Sequence, residues 1–227
     1  MRVLAIIPAY NEEESLKRTI EELRCVAPDV DFVVINDGST DGTGNICLNN
    51  GYPVITMPVN CGLTAGFRTG MKYALRMNYD IVVQFDADGQ HRPEYLEPML
   101  CKLEADNQNI VIGSRFVEGK KDLSPRMIGS RLISFIIKLT TGKTIVDPTS
   151  GLRMFDRKMI EIFAADSSLN PEPESIAYLI RKGASVAEVP VQMREREAGE
   201  SYLSLSKSIS YMVRSCTSIL FVQWFRG

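Results

Sequence analysis

Residues 81–91 read IVVQFDADGQH, an apolar run closed by two carboxylates, Asp86 and Asp88, one residue apart. The apolar part predicts a buried strand, and the acidic part predicts the end of that strand. We expect the chain to turn at this point, as Gly89 indicates, so that both carboxylates reach one cation. Oxygen ligands of this kind suit Mg2+ or Mn2+ bound to a diphosphate. Taken alone, an Asp-x-Asp pair is more often a solvated acidic turn.

Short apolar runs alternate with helical patterns on both sides of this stretch. The first helical pattern has Asn11 as a candidate cap, with Glu14 three residues later completing a capping box. The alternation predicts an α/β fold with a doubly wound, mainly parallel sheet flanked by helices. We expect strands over Val3 to Ile7, Phe32 to Ile35, Val54 to Thr56, Ile81 to Phe85, Ile110 to Ile112 and Ser185 to Val189.

Polar clusters follow three of these runs: Pro8 to Glu12, Asn36 to Gly42, and the Asp86 and Asp88 pair. In doubly wound sheets, ligands bind at the carboxyl ends of the strands. Asp37 can accept a hydrogen bond from the ring N–H of a pyrimidine or guanine, and Gly38 permits close approach of backbone. A simple turn with helix-capping residues is the alternative interpretation of this cluster.

Composition limits the classes of function. The chain has 227 residues, 44% hydrophobic and 24% charged, with a net charge of -2. That balance is ordinary for a globular protein and gives no general case for nucleic-acid binding. Its five cysteines contain no CxxC pair, which argues against a disulfide framework or a zinc site and favours a reducing cytosol. We expect neither a signal peptide nor a spanning helix, since no apolar run approaches about 18 residues.

Five motifs together resemble family 2 glycosyltransferases, and in particular the dolichyl or polyprenyl phosphate sugar synthase branch. The resemblance covers about residues 2–203 and implies a GT-A fold, a nucleotide-sugar donor and an inverting transfer. The motifs are Pro8-Ala9-Tyr10-Asn11-Glu12, Asn36-Asp37-Gly38-Ser39-Thr40-Asp41-Gly42, Asp86-Ala87-Asp88-Gly89-Gln90-His91, Gly113-Ser114-Arg115 and Asp147-Pro148-Thr149-Ser150-Gly151.

The resemblance also implies roles for single residues. Arg115 would neutralise charge on the departing nucleoside diphosphate together with a divalent metal, Mg2+ or Mn2+. Gly62 lies in a small-residue stretch that either packs beside the nucleotide or begins a helix packed tightly on the sheet. The nucleoside would contact Pro8, Tyr10, Glu12, Asp37 and Asp86, and the metal would be held by Asp86, Asp88 and Gln90, with His91 a structural neighbour.

The acceptor side is expected in a helix that begins at Pro125. A polar row along such a helix is usually its solvated face. In the resembled branch, however, an Arg with a Ser four residues later binds the acceptor phosphate, and Arg126 and Ser130 match that spacing. The polar row consists of Arg126, Ser130, Ser134 and Lys138, with Arg131 beside it. The apolar stripe of the same helix consists of Ile128, Leu132, Phe135, Ile136 and Leu139.

Asp147 stands where the resembled family keeps a carboxylate that faces the reaction centre, and it could act as a general base. A phosphate monoester has a second pKa of about 6 and needs no base at neutral pH, unlike a sugar hydroxyl. For a phosphate acceptor we therefore expect Asp147→Asn to lose much less activity than Asp86→Ala. Glu174 either lies near the acceptor or complements a helix N-terminus. Arg196 is the candidate for a closing contact on the diphosphate or acceptor.

We expect a GT-A catalytic domain over residues 1–203, with a nucleotide-binding half over about 1–113 and an acceptor half over about 114–203. An amphipathic C-terminal helix is expected over 204–227. That helix could lie in a membrane interface, pack on the catalytic domain or bind a partner membrane protein.

The sequence thus predicts a metal-dependent inverting hexosyltransferase that uses a nucleotide sugar, with a UDP-sugar favoured by analogy and GDP-mannose as the other choice. The expected acceptor is a polyprenyl phosphate carrier for cell-envelope polysaccharide or glycan modification. A sugar hydroxyl of a lipid-linked oligosaccharide is the alternative, and a non-catalytic nucleotide-binding or assembly subunit is the alternative of another class. The expected location is cytoplasmic and peripheral, on the inner face of the bacterial cytoplasmic membrane.

Overall fold

A seven-stranded sheet forms the centre of the molecule. The computed structural model describes residues 1–116, 125–194 and 205–221, and only the backbone of 125–128 and 205–209. The strand order is β3-β2-β1-β4-β6-β5-β7, parallel throughout except that β6 runs antiparallel to both neighbours. The strands are β1 (Val3–Ala9), β2 (Val30–Asn36), β3 (Val54–Thr56), β4 (Ile81–Gln84), β5 (Ile110–Ser114), β6 (Arg153–Phe155) and β7 (Val186–Pro190).

Helices cover both faces of the sheet. The face with α1, α2 and α4 and the face with α3, α5, α6, α7 and α8 have separate hydrophobic cores. The helices are α1 (Leu16–Val26), α2 (Thr43–Asn49), α3 (Leu63–Arg76), α4 (Leu96–Ala105), α5 (Pro125–Thr141), α6 (Arg157–Ala165), α7 (Pro173–Arg181) and α8 (Leu205–Leu220).

Strand β1 shows why the central runs are apolar without a break. Leu4 and Ile6 belong to one core, and Ala5 and Ile7 belong to the other. A parallel strand covered on both faces has no solvent side, so each position must be apolar. The predicted doubly wound sheet is confirmed. Within the part of the chain that the structure describes, no helix has both the length and the apolar character needed to cross a bilayer.

Three local expectations were wrong or incomplete. Asn11 does not cap α1, which begins at Leu16; it adopts a φ of 55°. Its side-chain oxygen instead accepts a hydrogen bond from the backbone N–H of Thr40 at 2.9 Å. The sequence patterns also missed α6 and β6, and β6 is a three-residue strand, which gives almost no periodic signal.

The orientation of α5 also differs from the predicted one. Ile133 and Ile137 are fully buried, whereas Leu132, Phe135 and Leu139 are 49%, 62% and 68% exposed. This helix is apolar on two sides, so periodicity alone cannot choose the inner one. Contacts with α7 and α8 make the choice, since these helices pack on α5. A stripe of large apolar side chains is left on the surface.

Helix α8 packs on the catalytic domain, which is one of the three arrangements open to the C-terminal tail. Cys216 and Ile219 are buried in the core that α5 and α7 share. Gly129 of α5 lies against Met212, where a Cβ at this glycine would overlap the Met212 side chain. Residues 222–227 lie outside the described residues.

Candidate active site

The Asp86 and Asp88 pair lies on a tight turn directly after β4. Gly89 has a φ of 76°, a conformation that glycine adopts readily. The backbone N–H of Gln90 donates to Asp88 Oδ1 at 3.1 Å, which fixes the turn. The Asp86 side chain is 35% exposed, so its carboxylate can accept a ligand from the cleft. The expected turn that lets both carboxylates serve one cation is present.

His91 contacts both the backbone and the side chain of Asp86. Its ring is 3% exposed, and Nδ1 accepts a hydrogen bond from the Asp86 backbone N–H at 2.9 Å. The proton of the neutral ring is thereby placed on Nε2, which lies 3.5 Å from Asp86 Oδ2. This geometry suits the structural role expected for His91.

Gly151 brings a second loop close to Asp86. A Cβ on Gly151 would lie 2.8 Å from Asp86 Oδ2, closer than a side chain tolerates. The close approach of the loop that enters β6 to this carboxylate therefore favours glycine at position 151. The glycine belongs to the motif that begins at Asp147.

Gln90 is hydrogen-bonded to Arg194. Its side-chain Nε2 donates to the Arg194 carbonyl at 3.3 Å, and the Arg194 backbone N–H donates to the Gln90 carbonyl at 3.0 Å. Both Arg194 Nη atoms donate to Glu22 of α1 at 2.6 Å. This hydrogen bond lowers the pKa of Glu22. Since the amide nitrogen of Gln90 is used, its oxygen is the atom that could ligate a metal.

The residues around Asp86 suit the predicted metal ion only if other groups complete its coordination. Among the described residues, no three His, Cys, Asp or Glu side chains are grouped closely enough to hold a metal by themselves. The donor set available is Asp86, Asp88 and the Gln90 amide oxygen, all hard oxygen ligands. Magnesium and manganese sites that use few protein ligands are completed by substrate phosphates and water. The residues present therefore suit a metal that binds together with a diphosphate.

The residues predicted to bind the nucleoside lie mainly at the ends of β1 and β2. Asp37 is buried, and its two carboxylate oxygens accept the backbone N–H groups of Cys61 and Gly62 at 2.8 and 2.7 Å. Asp37 thus holds the loop before α3 against the sheet, where Gly38 leaves room for the backbone of Val59. A carboxylate oxygen has a second lone pair, so recognition of a base by Asp37 stays a prediction.

Three further residues predicted to contact the nucleoside lie at the end of β1 and in the loop after it. Pro8 and Tyr10 are half-buried at the end of β1. Glu12 follows them, and its carboxylate accepts from the Ser15 hydroxyl at 2.8 Å. Its backbone N–H donates to Thr43 Oγ1 of α2, also at 2.8 Å. These contacts fix the loop after β1 to the start of α2.

Arg115 and Asp147 form a two-point ion pair where β5 ends. Arg115 Nε and Nη2 donate to Asp147 Oδ2 and Oδ1 at 2.7 and 2.8 Å, and the Arg115 backbone N–H donates to Oδ2 at 3.1 Å. Thr149 Oγ1 lies within 3.2 Å of both partners. The Asp147 side chain is 0% exposed and that of Arg115 is 23% exposed. Asp147 therefore holds the guanidinium in place, and only the guanidinium reaches solvent.

Glu188 of β7 is a residue that the sequence analysis missed. Its two carboxylate oxygens accept the backbone N–H groups of Val146 and Asp147 at 2.7 and 2.8 Å. It fixes the backbone that carries Asp147. No motif marks it, because a glutamate in a predicted strand is ordinarily assigned to the solvent side.

Arg153 is a second missed residue, and it is almost fully buried. It is 2% exposed, and its Nη1 and Nη2 donate to the carbonyls of Pro171 and Pro148 at 2.6 and 2.7 Å. Burial lowers the pKa of this guanidinium, while the nearby carboxylates favour its charged form. Glu174 is also buried and accepts from the Asn170 side-chain amide at 3.2 Å.

Two of the predicted acceptor-phosphate residues are described by the structure, and they differ in exposure. Ser130 is buried, whereas Arg131 is exposed on α5. Ser134, one turn after Ser130, donates to the Val146 carbonyl at 3.3 Å, so this face of α5 lies against the loop that carries Asp147. The serine part of the polar row is therefore not a solvated face. The side chain of Arg126 and the whole of Arg196 lie outside the described residues.

Comparison with known proteins agrees with this geometry. The chain is 34% identical over 216 residues to an undecaprenyl-phosphate mannosyltransferase of Micrococcus luteus, covering 90% of this chain and 88% of that protein. It is also 34% identical over 216 residues to a polyprenol monophosphomannose synthase of Mycolicibacterium smegmatis, with 89% and 81% covered. The solved mannosyltransferase of Pyrobaculum calidifontis, in complex with GDP-mannose and Mn2+, has a TM-score of 0.61 at 19% identity, with 94% of this chain and 64% of that chain covered.

The family comparison carries the classification. Residues 4–163 match the family described as glycosyl transferase family 2, and this range includes β1 to β6 and the Asp86, Arg115 and Asp147 motifs. The match and the two relatives agree over most of the chain. The chain belongs to glycosyltransferase family 2.

Proposed function

We propose that this protein transfers mannose from GDP-mannose to a polyprenyl phosphate in the presence of a divalent metal. The two relatives named for mannosyl transfer to polyprenyl carriers support the sugar and the acceptor. The GDP-mannose bound to the compared archaeal enzyme supports the donor. Uridine was favoured from the sequence by analogy alone, and the mannosyl relatives outweigh that analogy.

The burial of Asp147 and its ion pair with Arg115 are the observation that carries the proposal. A sugar-hydroxyl acceptor needs a carboxylate that can take a proton during attack. Asp147 is fully buried, and both its oxygens accept hydrogen bonds from Arg115, so neither oxygen is open to an acceptor in this arrangement. A phosphate acceptor is already ionised at neutral pH and needs no base. The ion pair therefore favours a phosphate acceptor over a hydroxyl.

The residues of the cleft divide the work as follows. Asp86 and Asp88, with the Gln90 amide oxygen, would hold the metal, which offsets the negative charge of the departing diphosphate when bound. Arg115 presents a guanidinium whose direction Asp147 fixes, and a planar guanidinium suits two-point contact with a phosphate. A fixed donor requires no reorganisation as charge develops, which is the usual source of electrostatic stabilisation in such sites.

The surface stripe on α5 supports peripheral membrane attachment. Leu132, Phe135 and Leu139 are large, apolar and about half to two-thirds exposed. Arg131 and Lys138 are exposed on the same helix and can contact anionic lipid. Polyprenyl phosphates reside in membranes, so attachment on the inner face of the cytoplasmic membrane brings the cleft to its acceptor.

Membrane attachment is tested by flotation with vesicles that contain anionic lipid. We expect the unmodified protein to float, and Leu132→Ser with Phe135→Ser to reduce the floated fraction severalfold. Leu48→Ser is the matched control, because Leu48 is 72% exposed on α2, which covers the opposite face of the sheet. Equal flotation of both variants would exclude the α5 stripe as the attachment surface.

The transfer itself is tested with radiolabelled GDP-mannose, UDP-glucose and UDP-N-acetylglucosamine and with undecaprenyl phosphate as acceptor. We expect metal-dependent label from GDP-mannose in an organic-phase product that mild acid hydrolyses, and none with EDTA. Undecaprenol, which lacks the phosphate, should not be labelled. Asp86→Asn should lose the activity, whereas Asp106→Asn, which neutralises an exposed acid at the end of α4, should keep it.

Two results would revise the proposal. Label from a UDP-sugar alone would retain the acceptor and replace the donor. Label that appears only when a lipid-linked glycan is supplied, in a product stable to mild acid, would move the acceptor to a sugar hydroxyl.

A further inference from the structure

Helix α8 contacts the segment that precedes α7 through the hydroxyl of Tyr211. This hydroxyl donates to Glu172 Oε2 in the segment that precedes α7. Burial raises the pKa of Tyr211, so the phenol stays protonated and remains a donor. Burial also raises the pKa of Glu172, while the Tyr211 hydrogen bond and the Arg153 charge act in the opposite direction. Tyr211 and Arg153 therefore both stabilise the ionised form of Glu172.

Arg153 continues the connection from the other side. Its Nη1 donates to the carbonyl of Pro171, which is the peptide group that precedes Glu172. Its Nη2 donates to the carbonyl of Pro148, which directly follows Asp147. One buried guanidinium thus fixes the backbone on both the Asp147 loop and the Glu172 segment.

We propose that Tyr211, Glu172 and Arg153 form a partly buried bridge by which α8 positions the loop of Asp147, and through it Arg115, for the acceptor. We class the three bridge residues as positioning residues, because their described hydrogen bonds are to one another and to backbone carbonyls next to Asp147 and Glu172. The bridge assigns α8 a part in the transfer reaction that is separate from any contact with a membrane. Its kinetic consequence rests on the proposed function, whereas its structural consequence does not.

The structural consequence is tested by amide hydrogen exchange on Tyr211→Phe. This change removes one hydroxyl and keeps the ring, so the packing of α8 on α5 and α7 is preserved. A hydrogen bond to a partly buried carboxylate is commonly worth about tenfold in an opening equilibrium. We expect exchange to rise about tenfold in α8 and also in residues 147–152 and 170–175. Faster exchange in α8 alone, or in none of these segments, overturns the bridge.

Tyr73→Phe provides the matched control. Tyr73 lies on α3, on the same side of the sheet, and stacks on Tyr79 with ring centroids 6.5 Å apart. Its loss of a phenol hydroxyl should leave exchange in residues 147–152 unchanged. If both phenylalanine variants accelerate exchange there, the effect is general loosening and the proposal fails.

The kinetic consequence is tested with whichever acceptor the enzyme uses. We expect Tyr211→Phe to lower kcat/KM for the acceptor about tenfold and to leave the donor KM and the Mn2+ affinity within about twofold. Glu172→Gln should have a similar effect, and the double variant should lose no more than the worse single variant. Equal losses for donor and acceptor, or multiplied losses in the double variant, count against the bridge. If polyprenyl phosphate is not the acceptor, the exchange experiment still decides the proposal.

Discussion

Asp147→Asn separates two roles for the buried carboxylate, namely a base and a support for Arg115. Asparagine keeps the shape but has one acceptor oxygen where the carboxylate has two, and its amide group would face an N–H donor of Arg115. Removing one partner of a buried ion pair costs about 3–5 kcal/mol. Arg115 is 23% exposed and regains some water, which reduces the expected loss of unfolding free energy to about 2–3 kcal/mol.

The expected loss is large enough to measure. For a chain of this size, 1 kcal/mol corresponds to about 2–4 °C in Tm, so Asp147→Asn should melt about 4–12 °C lower than the unmodified protein. Thermal unfolding followed by circular dichroism, together with urea titration, measures the change directly. Asp86→Asn is the matched control, because its carboxylate is 35% exposed whereas that of Asp147 is fully buried. Its Tm should stay within about 2 °C while Mn2+ binding is strongly weakened.

Activity and its pH dependence complete the test. If Asp147 supports Arg115, the activity lost in Asp147→Asn should be much smaller than that lost in Asp86→Ala, and the acidic limb of the pH–rate profile should persist. If Asp147 is instead the base, that limb should disappear from the variant. A Tm within about 2 °C of the unmodified protein would falsify the reasoning from the ion pair.

Three further changes test other parts of the structure. Gly151→Ala should weaken Mn2+ binding at least tenfold in a calorimetric titration, because its Cβ would lie 2.8 Å from Asp86 Oδ2; unchanged affinity would show that the loop can move away. Glu22→Gln should lower the free energy of unfolding above pH 4.5 by about 0.5–1 kcal/mol in urea titrations. The Arg194 hydrogen bond lowers the pKa of Glu22 in the folded protein, so the stabilisation by this pair is present above pH 4.5 and is lost as the pH falls through that lowered pKa. A difference in unfolding free energy that is constant at all pH values would contradict this. Gly70→Ala should lower the Tm by about 2–12 °C, because its Cβ would overlap an isoleucine of β1, and an unchanged Tm would contradict this close packing.

The sequence predicts the donor side of the fold well, because long-range position there follows from local pattern. Strands β1 and β4 and the last part of β2 are largely buried apolar runs, and the polar residues that follow them must meet at one edge. Asp37 and Asp86 could therefore be placed near the same cleft before any coordinates. The metal motif needed only the turn at Gly89.

The acceptor side depends on contacts that no local pattern encodes. Asp147 was assigned as a candidate base from its motif, but nothing in the sequence indicates that Arg115, 32 residues away, would occupy both its oxygens. Glu188 and Arg153 were missed for the same reason, since each acts through backbone groups distant in the chain. On α5 the buried side was misassigned because Ile133 and Leu132 are equally apolar, and only packing against α7 and α8 distinguishes them.

The position of β6 between β4 and β5 limits how relatives of this enzyme can be recombined. β5 is hydrogen-bonded only to β6 and β7, both of which come from the second half of the chain. A gene fusion made near residue 114 would therefore join a donor half to a foreign strand that must insert between its own β4 and β5. Exchanges confined to the loop that enters β6, or to α5, leave every strand with its native neighbours. Chimeras with altered acceptor preference should be built at those segments and not at the apparent midpoint of the chain.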